Sequence, residues 1–117
     1  MTQGRAIVYY VQAMDRLYEE TLLFDFYGEL LTQKQRQIFE EVVLCNCSLG
    51  EVAEEHGISR QGVHDTVRRC GKLLASYEEK LGLMRKFLVI KKKAARIHEI
   101  SENEEVRRLA DEILEEL

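Results

Sequence analysis

An all-α helix-turn-helix bundle with a long fourth helix and a C-terminal helical extension is predicted by three features of this 117-residue sequence. Proline is absent, so no residue lacks a helical N–H or clashes with the turn before it. Long segments repeat apolar residues at spacings of three and four. One stretch, SLGEVAEEHGISRQGVHDTVRRC at residues 48–70, has the residues of a short helix, a glycine turn and a second helix in that order.

The elements follow from these features. Leu17, Phe24, Tyr27 and Leu31 share one helical stripe, with Leu23 and Leu30 beside it and Asp15, Glu19, Glu20 and Glu29 on the far face, so a first helix is expected over Met14 to Leu30. Three sites pair Ser or Thr with Glu or Gln three residues on: Thr32 with Gln35, Ser48 with Glu51, Ser101 with Glu104. Such a pair satisfies two orphan N–H groups reciprocally, and each predicts a helix start. Helix two turns Ile38, Phe39, Val42 and Val43 inward and ends in CNCS, where Asn46 and Ser48 are turn formers. A third helix runs from Leu49 to about His56 and stops at Gly57, which can take the left-handed conformation.

The fourth helix starts after Ser59. Val63, Val67, Cys70, Leu74, Tyr77 and Leu81 alternate four and three, continuing through Met84 and Leu88. This predicts one long helix with a weak point at Gly82 and a dimer seam along Tyr77, Leu81, Met84 and Leu88. A homodimer is the expected assembly. Residues 1–82 are expected to form the helix-turn-helix domain and 83–117 a C-terminal extension, either part of the same folding unit or a dimer arm. Its first part, Arg85 to Arg96, is basic without an acid and includes Lys91, Lys92, Lys93 and Arg96, a secondary patch where a nucleic-acid backbone could lie. The segment from Glu99 to Leu117 is acidic.

Composition narrows the classes of function. No apolar run approaches the roughly 20 residues that span a bilayer, and the N-terminus has no secretion signal. Three cysteines at spacings matching no disulfide framework point to a reducing cytoplasm. A formal net charge of −4 argues against a generically basic nucleic-acid coat, so any such role needs a local patch. No phosphate-cradling loop, metalloprotease motif or nucleophile-base pair appears, so neither catalysis nor a cofactor is expected. Cys45, Cys47, Cys70 and His56 are soft ligands, but Cys-x-Cys is not structural zinc spacing and Cys70 has a place in the apolar seam, so no metal is assigned. His98, beside acids near a helix end, is expected to be solvated.

The central stretch supplies each helix-turn-helix requirement: Val52 and Ala53 in the first helix, Gly57 and Ile58 in the turn, Val63 as anchor in the second, and Ser48 and Ser59 as caps. With Val63 and Val67 facing the core, Ser59, Arg60, Gln61, His64, Asp65 and Arg68 face outward, and Arg69 and Lys72 extend the basic side. Arginine forks to guanine or phosphate and glutamine pairs with adenine, whereas Asp65 is suited mainly to cytosine. Glu51, Glu54, Glu55 and Asp65 balance Arg60, Arg68, Arg69 and Lys72, but three acids lie on the first helix and all four bases on the second.

With these residues in view, LFDFYGELLTQKQRQIF, SLGEVAEEHGISRQGVHDTVRRC and YEEKLGL, spread over about residues 17 to 90, resemble the YlxM family. These small bacterial proteins are related in their helix-turn-helix to the promoter-reading C-terminal region of sigma factors. The resemblance implies a sigma-factor-like fold in a cytoplasmic regulatory protein linked to the signal recognition particle, with DNA, the particle's RNA or its GTPase as partner. Gly62 stands where the family pattern leads one to expect alanine, and His64 where it leads one to expect an aromatic residue. Residues 1–15 look like an addition to the usual start, their patch Ile7 to Val11 read as a core or dimer contact.

Overall fold

The computed structural model describes residues 16–117. Met14, Asp15 and the Ile7 to Val11 patch lie outside them. Helix α1 occupies residues 16–27 and passes into a 3-10 turn, Gly28–Leu30; α2 is Gln33–Phe39, α3 Leu49–His56, α4 Arg60–Leu81, α5 Leu83–Ile100 and α6 Glu104–Glu116. No strand occurs among the described residues. The chain divides into two compact units, one ending at Lys80 and the other spanning Leu81–Leu117.

The first unit has two adjoining clusters. Phe24, Tyr27, Leu31, Phe39, Cys70 and Leu74 join α1, α2 and α4, while Ile38, Val52, Ala53 and Val63 join α2, α3 and the start of α4. Adjacent Ile38 and Phe39 supply one residue to each, and Val67 packs against both. Fully burying a side chain such as Val52 or Val63 stabilises by about 1.5–3 kcal/mol. The rings of Phe24 and Phe39 stack at 5.7 Å between centroids, and the Tyr27 hydroxyl donates to Glu78 Oε1 at 2.7 Å, tying α1 to α4. The α1 stripe is rotated from the expected one: Leu22 is buried, whereas Leu17 and Leu30 are exposed. Leu17 lies a turn and a half before the first core residue and has nothing to cover it.

The local signals are realised unevenly. At Thr32 both halves of the capping box form, with Gln35 N–H donating to Oγ1 and Gln35 Oε1 accepting from Thr32 N–H. Helix α2 then runs into a π-helical turn, Glu40–Leu44, before Asn46 takes a left-handed φ of 55°. Ser48 caps α3 through Glu51 N–H. Ser101 is not a helix start. It caps the end of α5, and Asn103 is the N-cap of α6, its side chain accepting from the N–H groups of Glu105 and Val106. The asparagine, two residues closer to the apolar stripe, offers the backbone a better-placed acceptor.

The single long helix also fails. Gly82 adopts φ 65°, ψ 24°, ending α4 at Leu81 and starting α5 at Leu83. The apolar spacing crosses the break because both helices keep the same period. Of the expected seam, Tyr77 lies against the Tyr27 ring at 6.1 Å, Met84 is buried, Leu88 is half-buried, and Leu81 is exposed. In the second unit α5 and α6 pack as an antiparallel hairpin with Ala94 and Ala110 buried. His98, expected in solvent, is half-buried there: Nδ1 lies 2.8 Å from Asp111 Oδ1 and Nε2 3.3 Å from Arg107 Nη2.

Candidate nucleic-acid interface

The turn between α3 and α4 is set by backbone chemistry. Gly57 has φ 65°, Ile58 N–H donates to Ala53 C=O at 3.0 Å, and Gly57 N–H donates to Glu54 C=O at 3.4 Å. These are the two bonds of a Schellman motif, and its usual apolar contact is supplied by Ile58 packing with Ala53 in the core. Ser59 then caps α4 by accepting from Gly62 N–H at 2.9 Å. Val63 has no exposed surface, which fixes the rotation of α4.

That rotation leaves Ser59, Arg60, Gln61, His64, Asp65, Arg68, Arg69 and Lys72 all exposed. Gln61, Asp65, Arg68 and Lys72 recur at four, three and four, so they form one stripe. Asp65 is engaged within the helix: Gln61 Nε2 donates to its Oδ1 at 3.0 Å and His64 Nδ1 lies 3.7 Å away. The Arg60 guanidinium lies over the start of α3, where a Cβ added to Gly50 would sit 3.2 Å from its Nη2. Arg60 thus leans toward α3 and away from the stripe.

Two shallow clefts flank the stripe. One of about 210 Å³ is lined by Asp65, Arg68, Arg69 and Lys72. The other, about 340 Å³, lies between the start of α2 and α4 and includes Thr32, Lys34, Gln35, Gly62, Thr66 and Arg69. Lys34 is a basic residue at this site that sequence reasoning missed. Its only signal was its position in the capping-box turn of α2, with nothing to show that this turn lies beside α4. None of Lys34, Arg60, Arg68, Arg69 and Lys72 is held in an ion pair with a described residue.

The acids of α3 have local work. Glu51 sits in the first turn, where the helix dipole favours negative charge. His56 Nε2 lies 3.0 Å from Glu41 Oε2, linking α3 to the π-helical turn, and Glu55 brings a carboxylate oxygen within 4.8 Å of both. That trio is the one grouping of three metal-ligating side chains among the described residues, and the cysteines are not in it. Cys70 instead lies in the α1–α2–α4 cluster, its Sγ 3.9 Å from the Gln35 carbonyl oxygen. Desolvation, then the negative charges of Cys45, Glu51, Glu41 and Glu55, push the Cys47 thiol above its ordinary value. Burial raises that of Cys70, with Arg69 opposing.

The secondary basic residues lie on α5, in the other unit. Lys91, Lys92, Lys93 and Arg96 are all exposed, with Lys92, Lys93, Ala95, Arg96 and Glu99 around an open hollow of about 610 Å³. Arg96 pairs with Glu99 at 3.2 Å, and the Lys91 ammonium stands 5.7 Å from the centre of the Phe87 ring.

Residues 14–116 match the family described as "Putative helix-turn-helix protein, YlxM / p13 like". The chain belongs to the YlxM / p13-like family. A UPF0122 protein of Acetivibrio thermocellus is 50% identical over 84 residues, 72% of each chain. One from Caldanaerobacter subterraneus is 54% identical over 79 residues, 68% of each chain. One from a Thermoanaerobacter species is 47% identical over 104 residues, 83% of this chain and 89% of the relative. The match takes in both units of this YlxM / p13-like chain. No helix of the described residues is long and apolar enough to cross a membrane.

Proposed function

We propose that this is a non-enzymatic nucleic-acid-binding regulatory protein, acting in the cytoplasm as a homodimer and contacting its ligand through the exposed side of α4. The observation that carries this is the set of cations at one place: Arg68, Arg69 and Lys72 around one cleft and Lys34 beside Arg69 at the next, none held in an ion pair. Exposed cations that no neighbouring acid neutralises are what phosphate binding requires, because affinity comes from displaced counterions. Arg60 and Gln61 stand at the helix start, where recognition helices meet base edges, with Ser59 and His64 beside them. Lys91, Lys92, Lys93 and Arg96 are a second place for a nucleic-acid backbone.

The test is binding of labelled duplex DNA and structured RNA across a salt series. Loss of two phosphate contacts in Arg60→Ala with Arg68→Ala reduces the magnitude of the log–log salt slope by about 2 on DNA. Unchanged affinity and slope in the double variant would refute the proposal.

A second reading is an adaptor for the signal recognition particle, binding its RNA or GTPase without reading DNA. It is favoured by exposed Glu51 and Glu54 on α3 beside the basic stripe, and by the acidic α6. Pull-down of the particle's GTPase, with and without its RNA, distinguishes the two. Recovery of neither component would dispose of the adaptor.

A further inference from the structure

The hairpin of α5 and α6 leaves an apolar face uncovered. Ile90 and Ile97 on α5 are 45% and 40% exposed, and Val106, Ile113 and Leu117 on α6 are 38%, 42% and 43% exposed. At about 100° per residue, Ile90 and Ile97 fall on one flank of Ala94, while Val106, Ile113 and Leu117 fall on one flank of Ala110. In an antiparallel right-handed pair these are the same side of the hairpin, so the five side chains form one face. His98, Asp111 and Arg107 fall on the opposite flanks, and they meet each other there.

Charge borders the face unequally. Lys86 and Lys93 edge it on α5, and Glu112 and Glu116 edge it on α6. Glu112 faces Arg108 only at 3.9 Å, a long and exposed contact. An 18-residue helix is about 27 Å long, and two helices side by side present roughly 500 Å². Two such faces joined bury roughly 1,000 Å², about where specific interfaces begin.

We infer that a second copy of this chain docks on this face, the two hairpins forming an antiparallel four-helix bundle with the basic edge of each against the acidic edge of the other. This rests on the homodimer reading and specifies its surface. Two-fold packing of two faces allows an axis along the helices or one across them. The first stacks α5 on the partner's α6, and the second stacks basic α5 on basic α5. Charge selects the first, and it keeps residues at their own height. Ala94 is level with Ala110, so Lys93 comes roughly level with Glu112 of the partner subunit and Lys86 with Glu116 of the partner subunit. The expected seam through Tyr77, Met84 and Leu88 is largely covered within the chain, so the contact moves to the hairpin.

The experiment is sedimentation equilibrium of the full chain, with circular dichroism as the control for folding. The wild type is expected at twice 13.7 kDa. Ile97→Glu with Ile113→Glu raises the dimer dissociation constant about 100-fold or more with helicity retained. A wild-type monomer at high concentration overturns both the homodimer and this surface. A dimer that the double variant leaves intact overturns the surface alone. Charge reversal provides an arm that leaves the apolar face untouched. A chain with Lys86→Glu and Lys93→Glu and a chain with Glu112→Lys and Glu116→Lys each self-associate weakly, and mixed they form a heterodimer. If each pairs with itself as readily as with the other, the edge-to-edge arrangement is wrong.

Discussion

Gly57 and Gly71 permit a test of the turn that aims α4. A Cβ built on either glycine meets no atom within 4 Å, so alanine fits sterically at both. They differ in backbone: Gly71 lies inside α4, whereas Gly57 has φ 65°. At Gly71 alanine removes the entropy cost of a mid-helix glycine, a gain of roughly 0.5–1 kcal/mol. At Gly57 the same unfolded-state gain is opposed by about 1–2 kcal/mol for a Cβ-bearing residue held in the left-handed region, leaving a net loss of about 1 kcal/mol. Urea denaturation followed by circular dichroism, at one fixed protein concentration because a dimer's stability depends on it, reads both changes as midpoint shifts of opposite sign at unchanged slope. Gly62→Ala is expected between them, since its Cβ would sit 3.2 Å from the Ser59 Oγ that caps the helix. A Gly57→Ala protein as stable as the wild type would refute the left-handed Schellman turn. A Gly71→Ala protein destabilised by about 1 kcal/mol would show a neighbour that the structure does not place there.

Asp65→Asn keeps an acceptor for Gln61 and removes one negative charge. At about 8 Å from a phosphate in water that charge is worth roughly 0.5 kcal/mol, so affinity for duplex at low salt rises two- to threefold, and a fall would mean that Asp65 takes a positive part in binding. Tyr27→Phe removes a hydroxyl that donates to a half-buried carboxylate, and urea unfolding should record a loss of about 1.5–3 kcal/mol. Thiol labelling at neutral pH should proceed at exposed Cys45 first, Cys47 next and buried Cys70 only on unfolding, with added salt speeding Cys47 by screening its carboxylates. Burial raises the folded-state value of Cys70, so its contribution to stability is complete below the ordinary thiol range, about pH 8.5, and is lost as pH rises through and above it. A Cys70→Ala chain should therefore lose less stability than the wild type between neutral and alkaline pH.

Local, two-residue signals in the sequence proved the most dependable guide to the fold. Thr32 with Gln35, Ser48 with Glu51 and the glycine at 57 each place a helix end, because the atoms that satisfy a terminus lie within a few residues of it. Ser101 failed by the same logic, since Asn103 competes for the same N–H groups and only the apolar register of α6 decides between them. The break at Gly82 was hidden because two helices joined by one left-handed residue keep their apolar positions in step. The outward positions of α4 could be read from Val63, whereas Lys34, the pairing of His98 and the lean of Arg60 over Gly50 depend on which helix lies next to which. Spacing along one helix carries no such information.

The acids of the helix-turn-helix looked like an objection to phosphate binding because they cancel its bases in number. Position removes the objection. Asp65 is held by Gln61 and His64 on its own helix, Glu55 stands with Glu41 and the His56 that joins α3 to the preceding turn, and Glu51 occupies a first turn where negative charge stabilises the helix. Each carboxylate therefore has a partner or a dipole within α3, α4 or the π-helical turn. Arg68, Arg69, Lys72 and Lys34 have no ion pair, and they lie around two adjoining clefts. A surface with zero summed charge can still present a positive edge within the roughly 10 Å over which charges act at 0.1 M salt. The net charge of the motif is therefore a poor guide to its ligand, and the arrangement of its ion pairs is the better one.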